Sequence, residues 1–497
     1  MMLDRLSFPS LQSRALLDWF GRPVIWRVVV VMATLGLGVA LGLVLTSPSQ
    51  EMVTSLVVIL VFFVLLVTKP ETGLLAWLVL YPFLGEQIHL DLGTGLPDLT
   101  LTRFCVVFLI LMLMAQIAAR HRPAFKFTAV DAAAGVYFLA LVISALTNTN
   151  AVWALQFAFD RYLSCVVVYF IARNLVGSRQ DLEQLVSALL IVGCYSAVYL
   201  IYERQTGNIL FSENTTVITY GSGVAVIRGL LGNPAAFGLV FTLSLPFAVQ
   251  RSLEAQQSSR RALYLMLSGV LLAALFLTYK RGAWVSAVAS FLVVQFVHPG
   301  FRKFFLVLLI LAAFLWVFAG DRLAESQASD RFNDDLDTFN GRTDRWAAAR
   351  ELWNEKPLFG HGFGRFSELS GLNAAENFYL NTLVSAGLMG LLPFVAMVIF
   401  VARDGALIYL QSKRGTNPAL FVSWETVSVF GGAIASYLVK GYSGNNAHPL
   451  PNIIFFLLLG GIVEAQMSQL SAASSPAIEN PGLLHAASDQ LESAVGD

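Results

Sequence analysis

The sequence is short of charge. Only 13% of its 497 residues are Asp, Glu, Lys or Arg, against about 25% in a soluble domain. That shortage excludes a soluble multidomain enzyme and a disordered chain. The 32 Lys and Arg are matched by 32 Asp and Glu, which excludes a nucleic-acid binder with a basic surface. Cysteine is scarcer still. Cys105, Cys165 and Cys194 are the only three, and all fall inside apolar runs. They point to neither a disulfide framework nor a metal site. No apolar core followed by a small-residue cleavage site precedes the first long apolar run. The first 27 residues therefore read as a retained segment, not a cleavable signal. No solenoid-type repeat is present.

Apolar residues make up the bulk, at 56%. A helix needs about 20 of them in a row to cross a bilayer. Runs of that kind lie near 28–46, 52–67, 73–84, 102–118, 129–147, 152–172, 183–202, 234–250, 263–279, 283–298, 304–320, 378–402, 419–439 and 451–467. The run at 73–84 is short and holds Pro82, which suits a re-entrant segment. Lys280, Arg281 and Gly282 alone join the pair 263–279 and 283–298, a tight hairpin. The expected fold is all-α, a polytopic transmembrane bundle of about 12–14 spans. Its parts read as an N-terminal segment 1–27, a bundle 28–320, a large loop 321–377, C-terminal spans 378–467 and a disordered tail 468–497.

Lys and Arg in short loops set orientation. With the N-terminus inside, the inner segments carry Arg5, Arg14, Arg22, Arg27, Lys69, Arg120, Arg122, Lys126, Arg173, Arg179, Arg251, Arg260, Arg261, Arg302, Lys303, Arg403, Lys413 and Arg414. Short outer loops such as 47–51, 85–100 and 148–151 have none. Both termini are then expected in the cytoplasm.

The remaining cations break this pattern. Arg103, Arg204 and Lys440 are readily explained as snorkelling or locally paired. Lys280–Arg281 is harder to explain so, because two cations share one turn with no acid nearby in sequence. A phosphate-bearing ligand would neutralise them, and Arg grips phosphate oxygens bidentately. Arg228 sits in VIRGLLGNPAAFG, just before a helix expected to start at Asn233–Pro234. Free amides at that start would favour an anion; a structured loop with one surface Arg is the plainer reading. Asp160–Arg161 lies mid-span, where a charged pair is either functional or buried against partners.

The 321–377 loop is the one long segment outside the spans. Asn340 or Thr343 is placed to N-cap a short helix running to about Glu355. Its apolar stripe would be Trp346, Ala349, Leu352 and Trp353, with Arg342 near its start. Gly360, His361, Gly362, Phe363 and Gly364 follow, a pattern better suited to a tight turn toward the bilayer than to phosphate binding. Glu376 and Asn377 then stand at the mouth of the next span. Glu376 is the acid at that mouth and a candidate general base; an interfacial acid paired with an arginine is the alternative. His448, in NNAHPLPN, is a second candidate base, or simply part of a turn.

Four stretches carry a family likeness: RGLLGNPAAFG around Arg228, TYKRGAWVSAVASF around Arg281, NGRTDRWAAARELWNEKPLFGHGFGRF around Arg342, and ENFYLNTLVSAGLMGLLPF. In order and spacing the chain resembles the O-antigen ligase and polymerase superfamily over about residues 220–400. The first 200 residues match in hydropathy alone. The resemblance implies a GT-C-like helical fold in the bacterial inner membrane, with the active site facing the periplasm. It implies transfer of a glycan from an undecaprenyl-diphosphate carrier to a sugar hydroxyl, on a lipid- or glycan-linked acceptor. Neither cofactor, metal nor nucleic acid is expected. Arg228 and Arg281 would hold the diphosphate, helped by Lys280. Arg342 would hold donor glycan or diphosphate, and Arg161, Asn377, Tyr379, His361 and His448 complete the expected substrate contacts. Ligases of this group typically carry His-Asn where this chain has Glu376–Asn377, which shifts weight toward a polymerase or an exopolysaccharide-type relative. A transporter of the same superfamily is the rival. It would need ionisable residues along the whole membrane path, whereas the unexplained charges cluster on one side.

Overall fold

A computed structural model describes residues 50–84, 88–90, 98–120, 125–148, 150–208, 229, 231–306, 335–372, 374–413, 422–444, 446 and 448–474. The expected segment 1–27, the run at 28–46, the part of the run at 304–320 past 306, loop residues 321–334, Arg228 and the tail past 474 lie outside them.

The described residues are almost all helical. In chain order they form α1 (Gln50–Thr68), α2 (Pro70–Leu84), α3 (Leu101–Ala118), α4 (Ala129–Leu146), α5 (Ala151–Ala158), α6 (Ser164–Leu175), α7 (Arg179–Thr206), α8 (Pro234–Glu254), α9 (Ser258–Leu277), α10 (Arg281–Val297), α11 (Asp335–Glu355), α12 (Arg365–Ser370), α13 (Phe378–Lys413), α14 (Trp424–Tyr442) and α15 (Pro449–Ser474). One two-residue antiparallel pairing, β1 (His89–Leu90) with β2 (Leu99–Thr100), leads into α3. Eight helices are long and apolar enough to cross a membrane, the stretch Ala151–Leu175 counting as one; Thr54–Thr68 and Arg281–Val297 are shorter apolar helices. The chain is an all-α, multi-pass membrane protein.

Local sequence explains the helix ends. Thr128 and Ser178 each form a capping box, with Asp131 and Asp181 three residues on. Asn233 caps α8, and Pro234 occupies the first turn. Its side-chain oxygen accepts from the Ala235 and Ala236 amides at 2.9 and 3.4 Å. Those amides, expected to be free for an anion, are thus already taken by the capping residue.

Small residues let the helices close on one another. A Cβ on Gly432 of α14 would come 2.5 Å from Val294 of α10. On Gly460 of α15 it would come 2.5 Å from the Tyr169 carbonyl of α6. At the start of α4, the fully buried Arg173 guanidinium bonds Asp131 at 3.0 Å and pairs with Glu464. The buried arginine thereby ties α4, α6 and α15 together.

Two helices are interrupted. Between α5 and α6 a π turn spans Phe159–Leu163; such bulges re-aim side chains within a helix. In α13, Gly387 takes φ 63° and ψ −160°, a conformation that needs glycine. The glycine-rich segment after α11 fills this break. The His361 and Gly362 amides donate to the carbonyls of Val384 and Ser385 at 2.7 and 2.9 Å. In return the Leu388 and Met389 amides donate to the carbonyls of Pro357 and Leu358 at 2.9 and 3.1 Å. Backbone groups freed by the break are therefore paired, as they must be where water is scarce. The turn does carry the chain back to a span, as its glycines suggested.

Gly360 shows how tight the fit is. It has φ 68°, and an added Cβ would lie 2.6 Å from the carbonyl oxygens of Val384 and Ser385. Gly360→Ala is expected to cost about 1–3 kcal/mol. Thermal unfolding in nanodiscs would register it, and an unchanged midpoint would refute the account.

Candidate functional site

The loop helix α11 begins at Asp335, before both Asn340 and Thr343. Of its predicted stripe, Ala349 and Leu352 are buried with Phe366, Ala375 and Val384 in a small core of their own, with Trp353 packed against it, while Trp346 packs on Tyr442 instead. Packed on α13, the helix presents Arg342 and Arg345, one turn apart, to the start of that span.

Glu376 receives them. Arg342 Nε donates to one carboxylate oxygen at 3.0 Å, and Arg345 Nη1 contacts the other at 2.6 Å. Glu376 itself has φ 50°, one of few non-glycine residues in the left-handed region. Such strain persists only where surrounding contacts enforce it, and it gathers at functional sites. The next residues supply those contacts. Asn377 Oδ1 caps α13 by accepting from the Tyr379 and Leu380 amides at 3.0 and 3.1 Å. Asn377 Nδ2 donates to the Tyr442 carbonyl at 3.1 Å, and the Phe378 amide donates to the Gly444 carbonyl at 3.0 Å. Tyr379 Oη donates to the Leu438 carbonyl at 2.7 Å. Asn377 and Tyr379, expected to touch substrate, here fasten the Glu376 turn to the end of α14.

That end of α14 carries Lys440, buried at 5% exposure. Its charged neighbours are Lys280, Arg342 and Glu376. Lys280 precedes α10 and Arg281 is its first residue, solvent-exposed. Gly282 leaves no room for a Cβ against Ser443, so the α9–α10 turn lies directly on the end of α14. Arg342 and Arg345 thus hold the carboxylate, Lys440 lies near it, and Lys280 lies near Lys440, with Arg281 next to Lys280 on the α9–α10 turn. Trp346 closes one flank, its ring edge-on to Tyr442 at 5.3 Å between centroids.

The other expected residues sort differently. Asp160 pairs not with Arg161 but with Arg103, whose Nε and Nη2 donate to its two oxygens at 2.8 and 2.6 Å. Arg161 lies over the Phe157 ring at 4.4 Å. His448 stands near Arg161 and the Leu231 backbone, two residues past Gly229. That glycine's amide donates to buried Glu203 at 2.7 Å. His361 is buried with its Nε2 at 2.7 Å from the Leu352 carbonyl and 3.5 Å from Glu355. It is held within the loop core.

Burial first, and the Arg161 charge second, lower His448 to about 4 from an ordinary value near 6.5. A depressed folded-state value means the neutral form stabilises the fold. That contribution is complete above about pH 6.5 and is lost as pH falls toward 4. The unfolding midpoint is expected to drop over this window, and less so in His448→Gln. Parallel curves for the two proteins would contradict the assignment.

Arg345 and Lys440 were not picked out from sequence. Arg345 had a usable signal, its three-residue spacing from Arg342 on a predicted helix. Lys440 stood out only as a cation that breaks the inner-side pattern, which snorkelling readily explained. Among the described residues, no cluster of three or more His, Cys, Asp or Glu is placed to hold a metal ion.

Residues 266–395 match the family model described as O-antigen ligase. No curated protein matches the chain. The matched stretch holds Lys280, Arg281, Arg342, Arg345, His361, Glu376, Asn377 and Tyr379, and ends before Lys440 and His448. With the multi-pass helical architecture, the match supports the O-antigen ligase and polymerase superfamily and an O-antigen ligase-type role in polysaccharide synthesis.

Proposed function

We propose that this superfamily member is a metal-independent, inverting glycosyltransferase of the inner membrane, working at the periplasmic face. Its donor is a glycan on undecaprenyl diphosphate, and its acceptor is a sugar hydroxyl on a lipid- or glycan-linked partner. The observation that carries the reading is the grouping of Arg342, Arg345 and buried Lys440 at Glu376, whose two oxygens are both taken by the arginines. A diphosphate would answer the Lys440 charge that this carboxylate does not.

In the reaction, the acceptor oxygen forms a bond to the anomeric carbon from the face opposite the leaving group. The bond from that carbon to the phosphate oxygen breaks, and its electron pair leaves with the diphosphate. The hydroxyl proton passes to Glu376 as general base. Negative charge grows on the departing diphosphate, where the fixed cations Arg281 and Lys280, with Arg228, act most strongly. Arg342 and Arg345 orient the carboxylate until the diphosphate arrives and draws them away.

The test is transfer from purified undecaprenyl-diphosphate glycan to defined acceptors by the protein in nanodiscs, with chelator present. Product with inverted anomeric configuration is expected. Uptake of the glycan into sealed vesicles without any transfer would favour the transporter reading.

A further inference from the structure

Lys440 is a buried cation with no answering acid. Among the described residues, no carboxylate lies within ion-pair distance of its ammonium. Glu376, the acid that acts on it, has both oxygens engaged by Arg342 and Arg345. Lys280 and Arg342 add repulsion rather than relief. An ammonium at 5% exposure without a partner is strongly unfavourable. An anion at this place would compensate the ammonium.

A second feature faces the same spot. Lys440 Nζ lies over Gly444, where an added Cβ would come 2.5 Å from it. On the other side, Lys440 Cδ would be 3.7 Å from a Cβ on Gly282, in the first turn of α10. The N-cap position is Lys280 itself, whose side chain makes no capping hydrogen bond to that helix start. The positive end of a helix and a buried ammonium thus converge, the arrangement that binds phosphate groups.

We infer that Lys440, together with the first turn of α10, is the ligand for one phosphate of the diphosphate, at the closed inner end of the cation cluster. This rests on the diphosphate reading above. Lys440 lies outside the stretch matched by the family model, so its assignment comes from geometry alone. It touches the leaving group and would fix its depth, while Arg281 closes over it from the exposed side.

The test uses the full chain in nanodiscs, with inorganic pyrophosphate and undecaprenyl diphosphate as separate probes. Lys440→Met keeps the length and removes the charge. Without ligand it is expected to unfold no earlier than wild type, because an unpaired charge has been removed. Its affinity for both probes is expected to fall about ten- to a hundredfold. Lys440→Arg, which keeps the charge, is expected to stay within a few-fold of wild type, and it serves as the reporter if the methionine variant does not fold. Wild-type probe affinity in Lys440→Met, or loss of binding in Lys440→Arg equal to that in a charge-free variant, would overturn the assignment and leave the diphosphate reading standing. If wild type ignores both probes yet binds orthophosphate through Lys440, the diphosphate reading fails and the anion site survives.

Discussion

Arg281→Ala is expected to abolish transfer while the protein still inserts and accumulates. Arg281 begins α10 and is solvent-exposed, so its loss opens no cavity. Substitutions of that kind usually change stability by no more than about 0.5 kcal/mol. On the proposed reaction Arg281 meets the departing diphosphate, and removing that charge is expected to lower kcat by about a hundred- to a thousandfold. Stability and activity therefore separate cleanly at this position. The measurement is surface polysaccharide in cells carrying only the variant, alongside its level in the membrane fraction. Arg281→Lys should fall between the two, since an ammonium cannot grip two oxygens in the planar, forked manner of a guanidinium. Normal polysaccharide from Arg281→Ala would end the idea of a clamp on this turn.

Much of this architecture was visible in the sequence because the bilayer imposes a strong constraint. Apolar runs at 129–147, 183–202 and 234–250 became helices within a few residues of the predicted bounds. The hairpin around Lys280–Arg281 was legible for the same reason. The interruptions were not. Gly387 looks like any small residue inside an apolar run, and only the arrival of Gly360 and His361 from elsewhere shows why the helix breaks there. Pairings across the fold were equally hidden. Asp160 stands beside Arg161 in sequence, yet a π turn swings it to Arg103, 57 residues away. The gathering of cations at the site depends on such long-range placement. Arg342, Arg345, Lys280 and Lys440 come from three separate segments, and no local pattern announces that they meet.

Glu376→Gln is the sharper test of the chemistry, because base and brace predict opposite signs. As a base, Glu376 must accept the hydroxyl proton, and its amide cannot. Turnover is then expected to fall about a hundred- to ten-thousandfold. As a brace alone, it would matter by holding Arg342 and Arg345, and loosening them would weaken donor binding while leaving turnover of bound donor nearly intact. The resting pairing adds a further expectation. Both carboxylate oxygens are paired with the two guanidiniums, for which, on the proposed reaction, a diphosphate competes. Neutralising that competitor should leave pyrophosphate affinity unchanged or make it tighter. The expected result for Glu376→Gln is therefore low kcat with equal or lower Kd for the donor, measured in parallel on one preparation. Glu376→Ala should release Arg342 and Arg345 as well, while the Asn377, Phe378 and Tyr379 contacts keep the turn in place. Full turnover in the glutamine variant would move the base to His448, which stands near Arg161 and is neutral at pH 7. Weakened donor binding with intact kcat would make Glu376 a positioning residue and assign the proton to another group.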